Sequence, residues 1–142
     1  RPDRAYFGQK DAQQLAVIKR MNRDLNLGAE VVPCAIVREN DGLALSSRNV
    51  YLAPEQRAQA VALSRSLRAA EGLVAGGERR VAILEAAVGQ VLAEAPLGEI
   101  DYVAFVDAED LTPVETVERD VLLALAVRFG RTRLIDNTVL RV

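Results

Sequence analysis

Glu30-Val31-Val32-Pro33-Cys34-Ala35-Ile36-Val37 is a nearly continuous apolar, β-branched run. Residues 38–49 follow it, with Asp41-Gly42 as a turn signal and Gly42-Leu43-Ala44-Leu45-Ser46-Ser47-Arg48-Asn49 as the closing stretch. The continuity of the run reads as a strand covered on both faces. Pro33 removes one ladder donor, so the strand is edge-like or interrupted there. A helical pattern precedes it, and helix then strand is the second half of a βαβ unit. In open α/β sheets ligands gather beyond the carboxyl ends of the strands. The run therefore predicts an α/β fold and delivers the Ser-Ser-Arg-Asn set to the ligand-binding edge.

The chemistry of that set is donor-rich. Arg48 can make two parallel charge-assisted bonds to one phosphate. Ser46 and Ser47 can donate from flexible hydroxyls, and loop N–H groups can add more. The alternative is a polar loop that caps the following helix.

Upstream, residues 11–27 carry Leu15, Ile18, Met21 and Leu25 at steps of three and four, which predicts an amphipathic helix ending near Gly28. Residues 1–9 read as a loop broken by Pro2 and Gly8, with Tyr6-Phe7 as a local anchor. Asp11 followed by Gln14 resembles a capping box, the reading that local evidence favours. The competing reading makes Gly8, Lys10 and the helix start a phosphate corner.

Downstream, Pro54 and Glu55 open a helix that Ala60, Leu63, Leu67, Ala70 and Val74 continue to about residue 75. A second helix over residues 79–95 places Val81, Leu84, Val88 and Val91 on one stripe, and the short connection predicts an antiparallel helical hairpin. Residues 100–107 alternate, 121–129 are strongly apolar, and 133–140 read as a third strand after a turn at 130–132. The expected architecture is thus a piece of a Rossmann-like domain over 1–50 and a small α+β unit over 51–142, with about three mostly antiparallel strands.

Composition narrows the function. The chain has 142 residues, half of them hydrophobic, and a net charge of −2 with acids and bases interspersed. Nothing supplies the basic field expected for nucleic acid or a membrane surface. Histidine is absent, which excludes a Ser-His-Asp triad or a histidine base within these residues. Cys34 stands alone, compatible with a reducing cytoplasm, and its apolar surroundings favour buried packing over nucleophilic chemistry. The chain opens at Arg1 on what reads as a mid-domain loop, so a portion of a longer protein is expected.

Phe7-Gly8-Gln9-Lys10-Asp11-Ala12-Gln13-Gln14, then Val37-Arg38-Glu39, then residues 41–49, and finally Arg131-Thr132-Arg133-Leu134-Ile135-Asp136-Asn137, together resemble the pantothenate synthetase (pantoate–β-alanine ligase) family. The likeness covers essentially the whole chain, and motif order makes it more specific than any one motif. It implies a Rossmann-like nucleotidyltransferase domain followed by a small C-terminal domain, with Ser46-Ser47-Arg48 in the place of the KMSKS-type signature. It implies ATP as substrate, pantoyl adenylate as intermediate, β-alanine as the attacking amine, Mg²⁺, a cytoplasmic location and a homodimer for the full-length protein.

By the same resemblance, Lys10, Ser46, Ser47 and Arg48 are the catalytic set. Gly8, Lys10, Asp11, Val37, Leu45, Ser46, Ser47 and Arg48 hold ATP, and Gln14 holds pantoate. Leu45 stands where relatives often carry Met, a volume-conserving exchange. The family's His-x-Gly-His motif has no counterpart here, nor do the acidic residues near Mg²⁺, so no metal ligand is expected in these residues. The chain resembles the C-terminal half, and the isolated chain is expected to have little or no synthetase activity. The competing readings are a non-catalytic nucleotide-binding or assembly module, and another KMSKS-type nucleotidyltransferase.

Overall fold

The computed structural model describes residues 3–142. Pro2, part of the expected N-terminal loop, lies outside the described residues. The first difference from the sequence reading comes directly after it. Residues Arg4–Gly8 form strand β1, not a loop. Its partner is β2, Glu30–Cys34, paired in parallel from Arg4 opposite Glu30 to Gly8 opposite Cys34. A five-residue strand has little local signal, and its order comes from a ladder partner more than twenty residues away. Between them runs α1, Ala12–Asp24, completing a βαβ unit.

β2 stops at Cys34, short of Val37, because its partner strand ends opposite it. The last bond of the ladder runs from the Gln9 N–H to the Cys34 carbonyl, at 2.8 Å. Cys34 is exposed, against the expectation of buried packing. The expected cover on both faces is also missing among the described residues, where Glu30, Pro33 and Cys34 are exposed. The reason is geometric: β2 has one strand neighbour, and α1 shields one side only. Met21, Leu25 and Leu27 of the predicted helical region are likewise open to solvent, and only Leu15 of α1 is buried.

The remainder is a three-stranded antiparallel sheet with helices on one face. The predicted helix from Pro54 is divided into α2, Pro54–Gln59, and α3, Ala62–Ala75. At the division the Leu63 N–H bonds the Ala60 carbonyl three residues back, and the Ser64 hydroxyl donates to the Val61 carbonyl. Both tighten the turn at the expense of the α-helical ladder. α4, Val81–Leu92, follows, and Leu92 is buried where the sequence pattern points to Val91.

Strands β3, Gly98–Asp107, β4, Val121–Phe129, and β5, Thr132–Leu140, lie in that order as a meander. Leu63, Leu67 and Ala70 of α3 and Leu84 and Val88 of α4 close the core over Phe105, Leu123 and Leu125. Each fully buried Leu contributes on the order of 1.5–3 kcal/mol. The opposite face carries Tyr102, Ala104, Val106, Leu122, Ala124 and Ile135, and these meet the start of α1 across a cleft. A register shift at Asp101 interrupts the β3–β4 ladder, and the carboxylate of Asp101 accepts from Arg128 at 3.2 Å and from Arg133 at 2.7 Å. Among the described residues no helix is long and apolar enough to cross a membrane.

Candidate functional site

Residues 37–45 form a tight hairpin. The Glu39 N–H bonds the Leu43 carbonyl at 2.9 Å, and the Leu45 N–H bonds the Val37 carbonyl at 2.8 Å. Gly42 makes the reversal at φ +98°, and a Cβ there would stand 2.7 Å from the Ser64 hydroxyl. Both facts demand glycine. Arg57 of α2 grips the outside of the turn through Glu39 and through both oxygens of Asp41, at 2.8 and 3.1 Å. That hydrogen bonding holds the Asp41 carboxyl below its ordinary range. The pairing also sets Val37 and Leu45 side by side with 65% and 53% exposure, two apolar side chains facing open space.

The next residues turn into a 3₁₀ helix over Ser47–Tyr51, and Ser46 is its N-cap. The Ser46 Oγ accepts from the Arg48 N–H at 3.2 Å, so the capping reading holds while the hydroxyl proton stays available to a ligand. Asn49 Nδ2 donates to the Ala44 carbonyl at 3.1 Å and fixes the loop's start to its end. The Arg48 side chain donates to the Arg133 carbonyl at 3.3 Å and has no carboxylate partner among the described residues.

Lys10 comes to this loop from the other side of the chain. Its Nζ donates to the Leu45 carbonyl at 3.4 Å, immediately before the serines. Burial lowers the Lys10 pKa, Asp136 opposes the shift, and Arg48 deepens it. The electrostatic influence of Arg48 on Lys10 means the two cations share one field. Gly8 closes β1 beside them, and a Cβ at Gly8 would meet nothing within 4 Å, so the space there is open. Asp11 caps α1 by accepting from the Gln14 N–H at 3.0 Å, and the other carboxylate oxygen is uncommitted. Gln14 is exposed on the first helical turn. It does not line the cleft of about 200 Å³ into which Lys10, Asp11 and Gln13 face. Arg48 lines a neighbouring cavity instead, and neither serine lines either one.

Three residues that hold the site together have no role in the sequence reading. Arg38 forms a bidentate pair with Asp136 at 2.7 and 2.8 Å, with the Asp136 side chain 1% and the Arg38 side chain 26% exposed. The same guanidinium donates to the Gly42 carbonyl at 3.0 Å. Hydrogen bonding to Asp136 raises the Arg38 pKa further. Asn137 Nδ2 donates to the carbonyls of Gln9 and Lys10, at 2.9 and 2.8 Å. Two adjacent residues of β5 thus anchor both the hairpin and the lysine turn. The available signal is a charged and an amide residue between the apolar pairs Leu134-Ile135 and Val139-Leu140 of one strand, which implies buried partners.

Chemically, the arrangement is a cationic corner with hydroxyl and backbone donors, open at Gly8 and flanked by two exposed apolar side chains. It suits an anion with an attached apolar ring. Among the described residues no three His, Cys, Asp or Glu side chains gather as a metal site.

The family described as pantoate-beta-alanine ligase matches residues 1–139. Pantothenate synthetase of Heliobacterium modesticaldum is 58% identical over 142 residues, which is 100% of this chain and 50% of that protein. The crystal structure of pantothenate synthetase from Thermus thermophilus superposes with a TM-score of 0.89 at 46% identity, covering 96% of this chain and 49% of that one. The Francisella tularensis pantoate-beta-alanine ligase, solved in complex with β,γ-ATP and β-alanine, shares the fold at a TM-score of 0.63 and 24% identity. The chain spans about half the length of the relatives it matches.

Proposed function

The chain belongs to the pantoate–β-alanine ligase family, and from that premise we propose that it supplies the phosphate-gripping portion of an ATP-dependent ligase. In the proposed reaction the pantoate carboxylate attacks the α-phosphorus of ATP and pyrophosphate departs. The amine of β-alanine then attacks the carbonyl of pantoyl adenylate, and AMP leaves as the amide forms. Neither step needs covalent help from a side chain. Both need alignment and stabilisation of phosphate charge.

The supporting observation is the meeting of Lys10 with the base of the Ser46–Arg48 loop, at 3.4 Å from the Leu45 carbonyl. In this reading Lys10 donates to the phosphate through the transition state. Ser46, Ser47 and Arg48 hold the β- and γ-phosphates as pyrophosphate leaves. Gly8 admits the nucleoside, the uncommitted oxygen of Asp11 accepts from ribose, and Val37 with Leu45 flanks adenine. Gln14 reaches pantoate, from outside the cleft that Lys10 lines. No step assigned to these residues runs through Mg²⁺. The division near residue 50, a cytoplasmic location and a homodimer of the whole protein belong to the same reading.

A pair of measurements tests it. Calorimetric titration of this chain with a non-hydrolysable ATP analogue should give binding that Lys10→Met weakens at least about tenfold, the size of one charge-assisted contact. AMP release dependent on pantoate and β-alanine should appear in a chain of the relatives' length and be absent or slight in the 142-residue chain. AMP release by the short chain at the longer chain's rate would refute the division of labour. Analogue binding indifferent to Lys10 would refute the site.

A further inference from the structure

The Arg131-Thr132-Arg133 portion of the closing motif is not used by the reading above. Arg131 lies in the turn between β4 and β5, Thr132 and Arg133 open β5, and the Arg133 carbonyl accepts from the side chain of Arg48 on the 3₁₀ helix. Together Arg48, Tyr51, Gln56, Arg131, Thr132 and Arg133 line a cavity of about 700 Å³ that has no acidic residue in its wall.

That absence stands out in a chain with 20 acids and 18 bases. Among the described residues, the guanidiniums without a carboxylate in ion-pair reach are Arg48, Arg68, Arg79 and Arg131. Two of these line the same cavity. The third cation there, Arg133, is held in place by Asp101 at 2.7 Å and lies over the Tyr102 ring at 5.5 Å. The remaining polar lining adds donors. Gln56 commits its Oε1 to the Ala53 N–H at 2.8 Å, and among the described residues neither its Nε2 nor the Thr132 hydroxyl has a hydrogen-bond partner. Asp101 meets the charge of Arg133, which leaves Arg48 and Arg131 as the two guanidiniums of this wall without a carboxylate among the described residues, and a multiply charged anion between them would neutralise both while accepting from the amide and hydroxyl.

We propose that this cavity, which takes Arg48 from the Ser46–Arg48 loop, is an oligophosphate subsite in which Arg131 binds pyrophosphate or the β,γ end of a nucleoside triphosphate. The proposal rests on the reading of Arg48 as a β,γ-phosphate ligand and extends it to the β4–β5 turn. Arg131 is exposed and unpaired, so its replacement leaves the fold intact.

The experiment titrates inorganic pyrophosphate, and separately a non-hydrolysable ATP analogue, into the wild-type chain and into Arg131→Gln, Arg48→Gln and Arg65→Gln. Arg65 is the control, since it loses the same charge from an exposed pair with Glu94. The expected result is an Arg131→Gln loss of about ten- to a hundredfold in pyrophosphate affinity, with unchanged thermal unfolding and less than a twofold effect of Arg65→Gln. A parallel loss for the analogue identifies the substrate's β,γ end as the occupant, and a loss for pyrophosphate alone identifies the departing product. If Arg131→Gln matches Arg65→Gln while Arg48→Gln weakens the analogue, the subsite is refuted and the ligase reading stands. The same holds if the analogue binds and pyrophosphate does not. Arg131-dependent pyrophosphate binding without analogue binding would support the subsite and overturn the ligase reading. Failure of both ligands to bind overturns both.

Discussion

Replacing Asp136 with Asn should lower stability more than its place near the end of the chain suggests. The carboxylate is buried, accepts two guanidinium bonds from Arg38 at 2.7 and 2.8 Å, and accepts a third bond from the Asn137 N–H at 2.8 Å. Removing one partner of a buried pair costs about 3–5 kcal/mol, because the other charge is left uncompensated. Water reaches the Arg38 guanidinium, whose side chain is 26% exposed, and screens part of that loss. The lower end, about 3 kcal/mol, is therefore expected. For a domain of this size that corresponds to a fall in Tm of roughly 10 °C.

The assay is thermal unfolding of wild type, Asp136→Asn, Arg38→Gln and the double variant. A coupling energy above about 1 kcal/mol should appear in the cycle, since the two residues touch. The amide resonances of residues 42–48 should move as well, because Arg38 also holds the Gly42 carbonyl. A single variant melting within a degree of wild type, or a cycle with no coupling, would refute the claim that β5 anchors the hairpin.

Three further outcomes follow from the same geometry. Gly42→Ala should destabilise by about 1–2 kcal/mol or more, since it forces an L side chain to φ +98° and against Ser64; denaturant titration with an unchanged midpoint would contradict this. Asn137→Ala should leave the Gln9 and Lys10 carbonyls without their donor and weaken ATP-analogue binding with little change in the hairpin's amide spectrum; equal affinity would remove Asn137 from the positioning role. Lys10 is one of two lysines, so its titration can be followed by labelled-lysine NMR, and its midpoint should fall below 10.5 and rise when the analogue binds. Because folded Lys10 releases its proton at lower pH than unfolded Lys10, its contribution to stability should grow as pH rises through the window below 10.5 and oppose folding in full beneath that window. A midpoint at or above 10.5 would show that burial does not govern this ammonium.

Much of the fold is legible in the sequence because its signals are local. The stripe Leu63, Leu67, Ala70 and Val74 follows helical spacing, and all of these residues are buried against the sheet. The apolar run of β4 needs a central position in a sheet, and it occupies one. What escapes is set by distant partners. β1 is a strand because β2 pairs with it, which Arg1 to Gln9 alone does not announce. Cys34 is exposed because the apolar run around it gains cover on one side only, a matter of neighbouring strands and not of its own sequence. At the site, the donor chemistry of Ser46, Ser47 and Arg48 is readable from residue type. The Arg38–Asp136 pair is not, since it joins residues 98 positions apart.

A crystal structure of this chain with β,γ-methylene ATP tests the central claim most directly. The triphosphate should lie between Lys10 Nζ and the Ser46–Arg48 loop, within hydrogen-bond distance of both, with adenine beside Val37 and Leu45. A nucleotide bound elsewhere, or one that touches the loop while Lys10 stays on the Leu45 carbonyl, would contradict it.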